Sequence, residues 1–160
     1  AKKQMKAKQA DSDAAASAND NTALYYRGAR VSTNFGIWWD GDLLRELLDH
    51  ETVTKYDWQT GRTYPLIKFE GCRFNNGTKS NPCLSGDIIG DWREEVITRT
   101  EDSNELRIYV STVPTGHRIN CLMEDMPYRL SMATQNVGYN QPPHTGFYLG
   151  PDKSAVEFLK

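Results

Sequence analysis

An internal repeat is the feature that most constrains how this chain can fold. Residues 41–48 (GDLLRELL) align with residues 90–97 (GDWREEVI) at an offset of 49 residues, with Gly, Asp and Glu at matching positions. A polar turn and a strand-like segment follow each copy. A period of roughly 40–50 residues is typical of a four-stranded propeller blade. The 160-residue chain therefore has room for about three blades, whereas closed propellers have about four to eight.

Most of the chain reads as short β-strands. Six segments are rich in β-branched or aromatic residues and are followed by turn-forming residues: 52–58, 64–70, 95–99, 105–111, 118–123 and 146–149. Residues 59–61 and 102–104 are typical of hairpin tips. Residues 43–50 look helical but fit a buried strand equally well, and residues 126–133 leave room for a helix. The pattern predicts an all-β chain.

The beginning of the chain differs in composition from the rest. Four lysines stand among the first eight residues, and Ala, Ser, Asn and Asp follow them. A secretory signal would place an apolar stretch of about 7–15 residues after such a basic start, and this segment has none. We expect residues 1–30 to form a linker or poorly ordered lead-in, and residues 31–160 to form blades that are one piece of a larger ring.

Charge and hydrophobicity exclude two classes of partner. Nineteen basic residues against 21 acidic ones give a net charge of -2. A nucleic-acid-binding domain would instead need a basic surface, so we expect no nucleic-acid partner. No apolar run approaches the roughly 18–20 residues that a membrane span requires, so we expect no membrane crossing either.

Acidic residues gather around both copies of the repeat. They are Asp40, Asp42 and Glu46 at the first copy, and Asp87, Asp91, Glu94 and Glu95 at the second. Calcium prefers six to eight oxygen ligands from such Asp- and Gly-rich turns, so one hypothesis is a structural calcium ion at each copy. The alternative is that these carboxylates cap turns or pair with Arg45 and Arg93. Ile89 replaces Asp40 in the second copy, so the two sites would differ.

The three cysteines leave two interpretations open. Cys72, Cys83 and Cys121 include no C-x-x-C pair, which argues against a structural zinc site. Cys72 and Cys83 bracket a polar loop, and a disulfide between them would staple it. Three free, buried thiols are the equally acceptable alternative.

Two loops are candidates for binding a ligand. Residues 75–82 (NNGTKSNP) combine an Asn-Gly turn with amide, hydroxyl and ammonium groups, which suit a carboxylated or hydroxyl-rich ligand; an ordinary solvated turn is the alternative. Residues 136–148 are dense in aromatic and amide groups and contain His144. Such groups commonly build sugar sites, although the aromatic rings can equally pack inward.

Four strings in the sequence together resemble one family. They are NFGIWWDGDLLRELLD at 34–49, NNGTKSN at 75–81, GDWREEV at 90–96 and QNVGYNQPPHTGFYLG at 135–150. These strings resemble the C-terminal part of the rhamnogalacturonan lyases of polysaccharide lyase family 11. The similar stretch runs from about residue 31 to residue 152.

The resemblance implies an eight-bladed β-propeller stabilised by many calcium ions, with the substrate cleft across its centre. It implies cleavage of the rhamnose–galacturonate backbone of pectin by β-elimination, in a protein that is secreted, periplasmic or at the cell surface. The family's substrate-contacting Asn-Gly-Thr-Lys string matches Asn76, Gly77, Thr78 and Lys79, and its active-site tyrosine matches Tyr139. His144, in the same string as Tyr139, is a further candidate for substrate binding.

These residue types suit the implied reaction. Elimination removes the C5 proton of the uronate and expels the oxygen at C4. The C5 proton is acidic enough only when a cation neutralises the neighbouring carboxylate. Lys79 can supply that charge or act as the base, and Tyr139 can act as base or acid. We expect the two side chains to face one cleft.

Two other functions fit the sequence. One is a non-catalytic carbohydrate-binding propeller module that keeps the two loops, and the other is a purely structural β-module. An open arc of blades would leave strand edges unpaired. We therefore expect either a partner at those edges, such as the rest of the propeller or another copy of the chain, or a chain more compact than the family pattern.

Overall fold

The described part of the protein is built mainly from antiparallel sheets. The structure, a computed structural model, describes residues 23–26, 29–138 and 140–151. Ten strands in three sheets and one α-helix account for most of the regular structure within those ranges. The prediction of a mainly β chain is confirmed for the described residues.

The strands follow one another closely along the chain. They are β1 (Ala23–Tyr26), β2 (Ala29–Ser32), β3 (Phe35–Ile37), β4 (Glu46–Asp49), β5 (Thr52–Asp57), β6 (Arg62–Lys68), β7 (Cys72–Arg73), β8 (Leu84–Gly86), β9 (Glu95–Thr100) and β10 (Leu106–Tyr109). Strands β1 and β2 form a two-stranded sheet, and β3 to β6 form a second sheet in sequential order. In the third sheet β9 is central, with β10 on one side and both β7 and β8 on the other.

Both predicted hairpin tips are present. Between β5 and β6, the Asp57 carboxylate accepts hydrogen bonds from the N–H groups of Gln59 and Thr60, and Gly61 takes a positive φ of 66°. Between β9 and β10, Ser103 has a φ of 61° next to the Asp102 side chain, which accepts from Asn104 N–H. Short polar side chains bind these turns locally, as the sequence predicts.

The two copies of the repeat have the same local structure. Gly41 and Gly90 both adopt positive φ, 87° and 84°, a conformation that favours glycine. The Asp after each glycine accepts a hydrogen bond from the N–H two residues later. A strand then begins at Glu46 in one copy and at Glu95 in the other. Residues 43–50 therefore contain a strand and not a helix.

Two predicted strands are wrong. Residues 118–123 are irregular up to a 3-10 helix at Leu122–Glu124, and residues 146–149 contain no strand. In both segments an N–H group binds a side-chain carboxylate and not a neighbouring strand: Leu122 donates to Asp87, and Gly146 donates to Asp125. The β-branched and aromatic residues of these segments therefore do not build a ladder.

The expected helix is present. Helix α1 (Met126–Thr134) begins after Asp125, whose side chain accepts a hydrogen bond from the N–H of Tyr128. An Asp at this position satisfies a backbone donor that the first helical turn leaves free. No helix among the described residues has the length and apolar character that a bilayer span requires.

Two apolar clusters hold these elements together. The first is formed by residues in the strands of the second and third sheets and in the segments next to them: Phe35, Ile37, Trp39, Leu48, Val53, Phe69, Cys72, Phe74 and Val96. The second joins α1 to both repeat turns and contains Trp38, Trp92, Leu122, Tyr128 and Leu149. Trp38 and Tyr128 of the second cluster also donate hydrogen bonds to the carboxylate of Glu94.

The cysteines are all free thiols. The sulfur of Cys72 lies 3.2 Å from the hydroxyl of Tyr109, and Cys83 accepts a hydrogen bond from the side chain of Asn75. The interpretation as a disulfide between Cys72 and Cys83 is therefore wrong. The alternative of three free thiols is correct, but only Cys72 is buried, whereas Cys83 and Cys121 are partly exposed.

Candidate functional site

The Asn-Gly-Thr-Lys loop is a turn closed at its base and exposed at its tip. Asn75 and Asn81 exchange backbone hydrogen bonds across the base. Asn76 has a φ of 59°, and its carbonyl accepts from the N–H groups of Lys79 and Ser80. The four candidate substrate contacts are all exposed to solvent: Asn76, Gly77, Thr78 and Lys79.

Asn34 fastens this loop to the second sheet. Its side-chain amide donates to the carbonyl of Lys79 and, at 3.2 Å, to the carboxylate of Asp49 at the end of β4. No local sequence pattern indicates this link, because residues 34 and 79 are 45 positions apart. Lys79 is thereby held near the hairpin that β3 and β4 form.

The loop around residue 139 lies against the same region. The Asn136 side chain donates to the carbonyl of Cys83 at 2.9 Å, and the Asn140 side chain donates to the carbonyl of Pro82 at 3.2 Å. Tyr139 itself lies outside the described residues. Its neighbour Asn140 contacts the chain three residues beyond Lys79, so the structure brings the two candidate loops together at their ends.

An open cleft of about 390 Å³ lies between the β3–β4 hairpin and the later loop. Its lining includes Asn34, Arg45 and Glu46 on the hairpin side, and Gln141 and His144 on the loop side. The cleft thus brings together a guanidinium, an imidazole, two amides and a carboxylate. The guanidinium is paired with Glu94, so the amides and the imidazole are the groups that can hydrogen-bond a hydroxylated ligand.

A buried carboxylate stands behind this cleft. Glu94 is fully buried, and its oxygens accept hydrogen bonds from Trp38 N–H (3.0 Å), Tyr128 hydroxyl (2.8 Å) and Arg45 Nη2 (3.2 Å to each oxygen). Burial raises the pKa of Glu94, while the Arg45 charge and the hydrogen bonds oppose that rise. Burial and the adjacent Glu94 also raise the pKa of Tyr128.

Arg45 connects that carboxylate to the His144 segment. Its Nη2 also donates to the carbonyl of Pro143 at 2.7 Å, and its Nη1 lies 3.5 Å from His144 Nδ1. The guanidinium carbon lies 4.1 Å from the centre of the Trp38 ring, a cation–π contact. Partial burial and the Arg45 charge lower the pKa of His144.

The acidic residues at the first copy form a cluster that can hold a cation. Carboxylate oxygens of Asp40, Asp42 and Glu46 lie within 4.8 Å of one another. The ammonium of Lys55 contacts all three, at 2.8, 2.6 and 2.7 Å respectively. Lys55 is therefore the cation that this cluster binds in the structure.

Burial and ion pairing shift the pKa values of the side chains in this cluster in opposite directions. Burial raises the pKa of Glu46 to about 7, although hydrogen bonds from Lys55 and Trp39 N–H lower it. Burial alone would lower the pKa of Lys55, but its bonds to the three carboxylates raise it above the ordinary range. The ammonium therefore stays charged and compensates the buried acids.

The acidic residues at the second copy mostly bind backbone or arginine. Asp87 accepts from the N–H groups of Gly90, Trp92 and Leu122. Asp91 pairs with Arg93, and Glu94 pairs with Arg45. These contacts are the turn capping and arginine pairing that the sequence offered as an alternative to calcium.

Glu95 is the exception at the second copy. One oxygen accepts from the N–H groups of Ile88 and Ile89, in the same way that Glu46 accepts from Trp39 and Asp40. The other oxygen, Oε1, is buried and has no hydrogen-bond partner among the described residues. Burial raises the pKa of Glu95, and the nearby charges of Asp91 and Asp87 add to the rise.

Sequence reasoning missed Lys55 and Tyr128. Lys55 lies beside Glu46 because the observed register pairs Leu47 with Thr54, and that register was not fixed while residues 43–50 fitted a helix or a strand. Tyr128 was not detectable, because it reaches Glu94 from a helix 34 residues later in the chain. Arg45 was foreseen as a partner for a carboxylate, but its contact with Pro143 was not.

The chain is similar to characterised proteins over most of its length. The family model "Rhamnogalacturonan lyase family 11, C-terminal domain" matches residues 5–157. "Rhamnogalacturonan endolyase YesW" of Bacillus subtilis (strain 168) is 58% identical over 123 residues, covering 77% of this chain and 20% of that protein. "Rhamnogalacturonan exolyase YesX" of the same organism is 54% identical over 130 residues, covering 76% of this chain and 21% of that protein.

Solved structures agree with these matches. The crystal structure of rhamnogalacturonan lyase YesW superposes with a TM-score of 0.76 at 52% identity, covering 84% of this chain and 24% of that one. The rhamnogalacturonan lyase PL11 of Bacillus licheniformis superposes with a TM-score of 0.77 at 56% identity, with the same coverage. This chain thus spans about a fifth of the length of the curated relatives that it matches.

Replacing Lys55 tests the charge balance of the first cluster. We expect Lys55→Met to lower the free energy of unfolding by about 3–5 kcal/mol, because it leaves partly buried carboxylates without a cation. Lys68→Met is the matched control, since its side chain is 62% exposed and its pairing with Glu70 is worth about 0–1 kcal/mol. Denaturant unfolding measures both. Equal, small losses would contradict the assigned role of Lys55.

Proposed function

Because the chain belongs to the C-terminal domain family of the family 11 rhamnogalacturonan lyases, we propose that it is part of an enzyme that cleaves rhamnogalacturonan by β-elimination and leaves an unsaturated uronate end. Its relatives are named as an endolyase and an exolyase. The observation that carries the proposal is the junction of the two loops, where Asn140 binds Pro82 and Asn34 binds Lys79.

Lys79 is the proposed source of positive charge in the reaction. It stands at the exposed tip of its loop, and no described carboxylate pairs with its ammonium. An ammonium that none of the described carboxylates binds is available to a substrate carboxylate. Neutralising the C6 carboxylate of galacturonate lowers the barrier to removing the C5 proton, because negative charge then develops beside a cation.

Tyr139 is the proposed partner of Lys79 in proton transfer. Its sequence neighbour Asn140 is bound at the end of the Lys79 loop, which favours a common cleft. Asn76, Gly77, Thr78 and His144 are the proposed substrate contacts. His144 lines the cleft beside Arg45, and its lowered pKa keeps the imidazole neutral near neutral pH, so that it can accept or donate a hydrogen bond to a sugar hydroxyl.

We also propose the larger architecture and setting that the family implies. Residues 31–160 would contribute about three blades to an eight-bladed propeller, with residues 1–30 as a lead-in, in a secreted, periplasmic or surface protein. On the edge strand β10, Leu106 and Ile108 are 69% and 58% exposed. An apolar strand at a sheet edge needs cover, and a neighbouring blade would supply it.

Calcium is the proposed cofactor, and Glu95 is the residue whose environment fits it best. A buried carboxylate oxygen without a hydrogen-bond partner is a ready ligand for a hard cation, and Asp91, backbone carbonyls and water can complete the set. The ion would supply structural charge compensation at the second copy. At the first copy calcium would have to displace the Lys55 ammonium from three carboxylates.

A lyase assay on the natural protein that contains this chain tests the proposed reaction. With rhamnogalacturonan as substrate, we expect ultraviolet absorbance from the unsaturated uronate, and a fall in kcat of about 10²–10³-fold for Lys79→Met, the usual cost of losing one group that stabilises developing negative charge. Lys68→Met is the control and should retain activity. Binding without product would favour the non-catalytic carbohydrate-binding module, and normal turnover by Lys79→Met would exclude the assigned role of that lysine.

Removing calcium tests the proposed cofactor. A bound ion present at about 100 times its dissociation constant stabilises a fold by about 2.7 kcal/mol, so we expect a chelator to lower the unfolding midpoint. Glu95→Gln should abolish most of that response, whereas Asp40→Asn should preserve it. An unaltered midpoint in excess chelator would mean that the second-copy carboxylates only cap turns.

A further inference from the structure

One guanidinium in the structure touches both a buried anchor and a loop that borders the cleft. Arg45 Nη2 donates to both oxygens of Glu94 and to the carbonyl of Pro143. We propose that Arg45 is a positioning residue that holds residues 140–144, which include His144, in place beside the cleft. This inference rests on the function proposed above.

The anchor side of Arg45 is rigid. Glu94 is fully buried and also receives hydrogen bonds from Trp38 N–H and the Tyr128 hydroxyl. A buried carboxylate with several fixed donors has little freedom to move without losing charge-assisted bonds. The orientation of the guanidinium is therefore set by the fold and not by solvent.

Gly36 leaves room for the Arg45 side chain, and Trp38 stacks against the plane of its guanidinium. A Cβ at Gly36 would lie 3.3 Å from Arg45 Cδ, so a side chain there would crowd the arginine. The indole of Trp38 lies under the guanidinium at 4.1 Å. Stacking of this kind is available to arginine but not to lysine, whose ammonium lacks a planar face.

The other side of the segment is fixed by α1 and by the residue preceding it. His144 N–H donates to the hydroxyl of Ser131, and Gly146 N–H donates to Asp125 at 2.6 Å. A Cβ at Gly146 would come within 2.5 Å of the Pro127 ring, so this approach is close. The segment is therefore bound by Arg45 on one side, and by Ser131 of α1 and Asp125 on the other.

Two prolines restrict the backbone of residues 140–144. Pro142 and Pro143 have fixed φ angles, and each restricts the residue before it. Arg45 binds the Pro143 carbonyl at one end of this stretch, and Asn140 at the other end binds Pro82. The residues between them therefore have little conformational freedom. Residue 139 directly precedes this restrained stretch.

The experiment compares Arg45→Lys with the unaltered natural protein that contains this chain. Lysine keeps a positive charge for Glu94 but lacks the planar fork that reaches Glu94 and Pro143 together. We expect the melting temperature to stay within about 4 °C, amide hydrogen exchange of Asn140, Gln141 and His144 to rise about tenfold or more, and kcat on rhamnogalacturonan to fall about 10²-fold. KM should change much less than kcat.

Tyr128→Phe is the matched control, because it removes a hydrogen bond to the same carboxylate, and the one that Asp87 N–H donates to the hydroxyl, but none to residues 140–144. It should lower the melting temperature without increasing exchange of Asn140, Gln141 and His144. If Arg45→Lys leaves that exchange unchanged, or loosens the segment without lowering kcat, the positioning role is wrong. If the natural protein that contains this chain has no lyase activity, the proposed reaction is wrong. The exchange comparison would still decide whether Arg45 holds the segment.

Discussion

The described part of the protein depends on the burial of one carboxylate. Glu94 has no access to water, so protein donors must replace the hydrogen bonds that solvent would provide. Those donors come from two places: Trp38 N–H and the Arg45 guanidinium at the first copy of the repeat, and the Tyr128 hydroxyl on helix α1. In the opposite direction, the Trp38 carbonyl accepts a hydrogen bond from Glu94 N–H. Satisfying one buried charge thereby fixes the relative positions of both repeats, the helix and the edge of the cleft.

The repeat explains why this interaction lies where it does. Arg45 and Glu94 occupy equivalent positions in the two copies, 49 residues apart, and carry opposite charges. The copies share their glycine turn and their capping glutamate but differ in how that glutamate is balanced. Glu46 binds the Lys55 ammonium, whereas Glu95 keeps an oxygen without a described partner. A common scaffold therefore supports a protein cation at one turn and a proposed calcium ligand at the other.

Local features of the fold were predictable, and long-range polar contacts were not. Hairpin tips at residues 59–61 and 102–104 follow from turn chemistry, and residues 126–133 were open to a helix because no strand pattern covers them. Residues 118–123 and 146–149 were misassigned because their N–H groups bind Asp87 and Asp125, which no local pattern reveals. The residue strings of the two candidate loops identify them in the sequence. The links through Asn34, Asn140 and Arg45 join residues far apart in the chain, so only the structure reveals them.

A double-mutant cycle between Arg45 and Glu94 tests the central claim most directly. Unfolding free energies of Arg45→Met, Glu94→Gln and the double variant give the coupling between the two side chains. The account predicts a favourable coupling of about 2–3 kcal/mol, because each single change leaves a buried group without its partner. A coupling below about 0.5 kcal/mol, within the range of independent sites, would contradict the claim that this pair joins the two repeats.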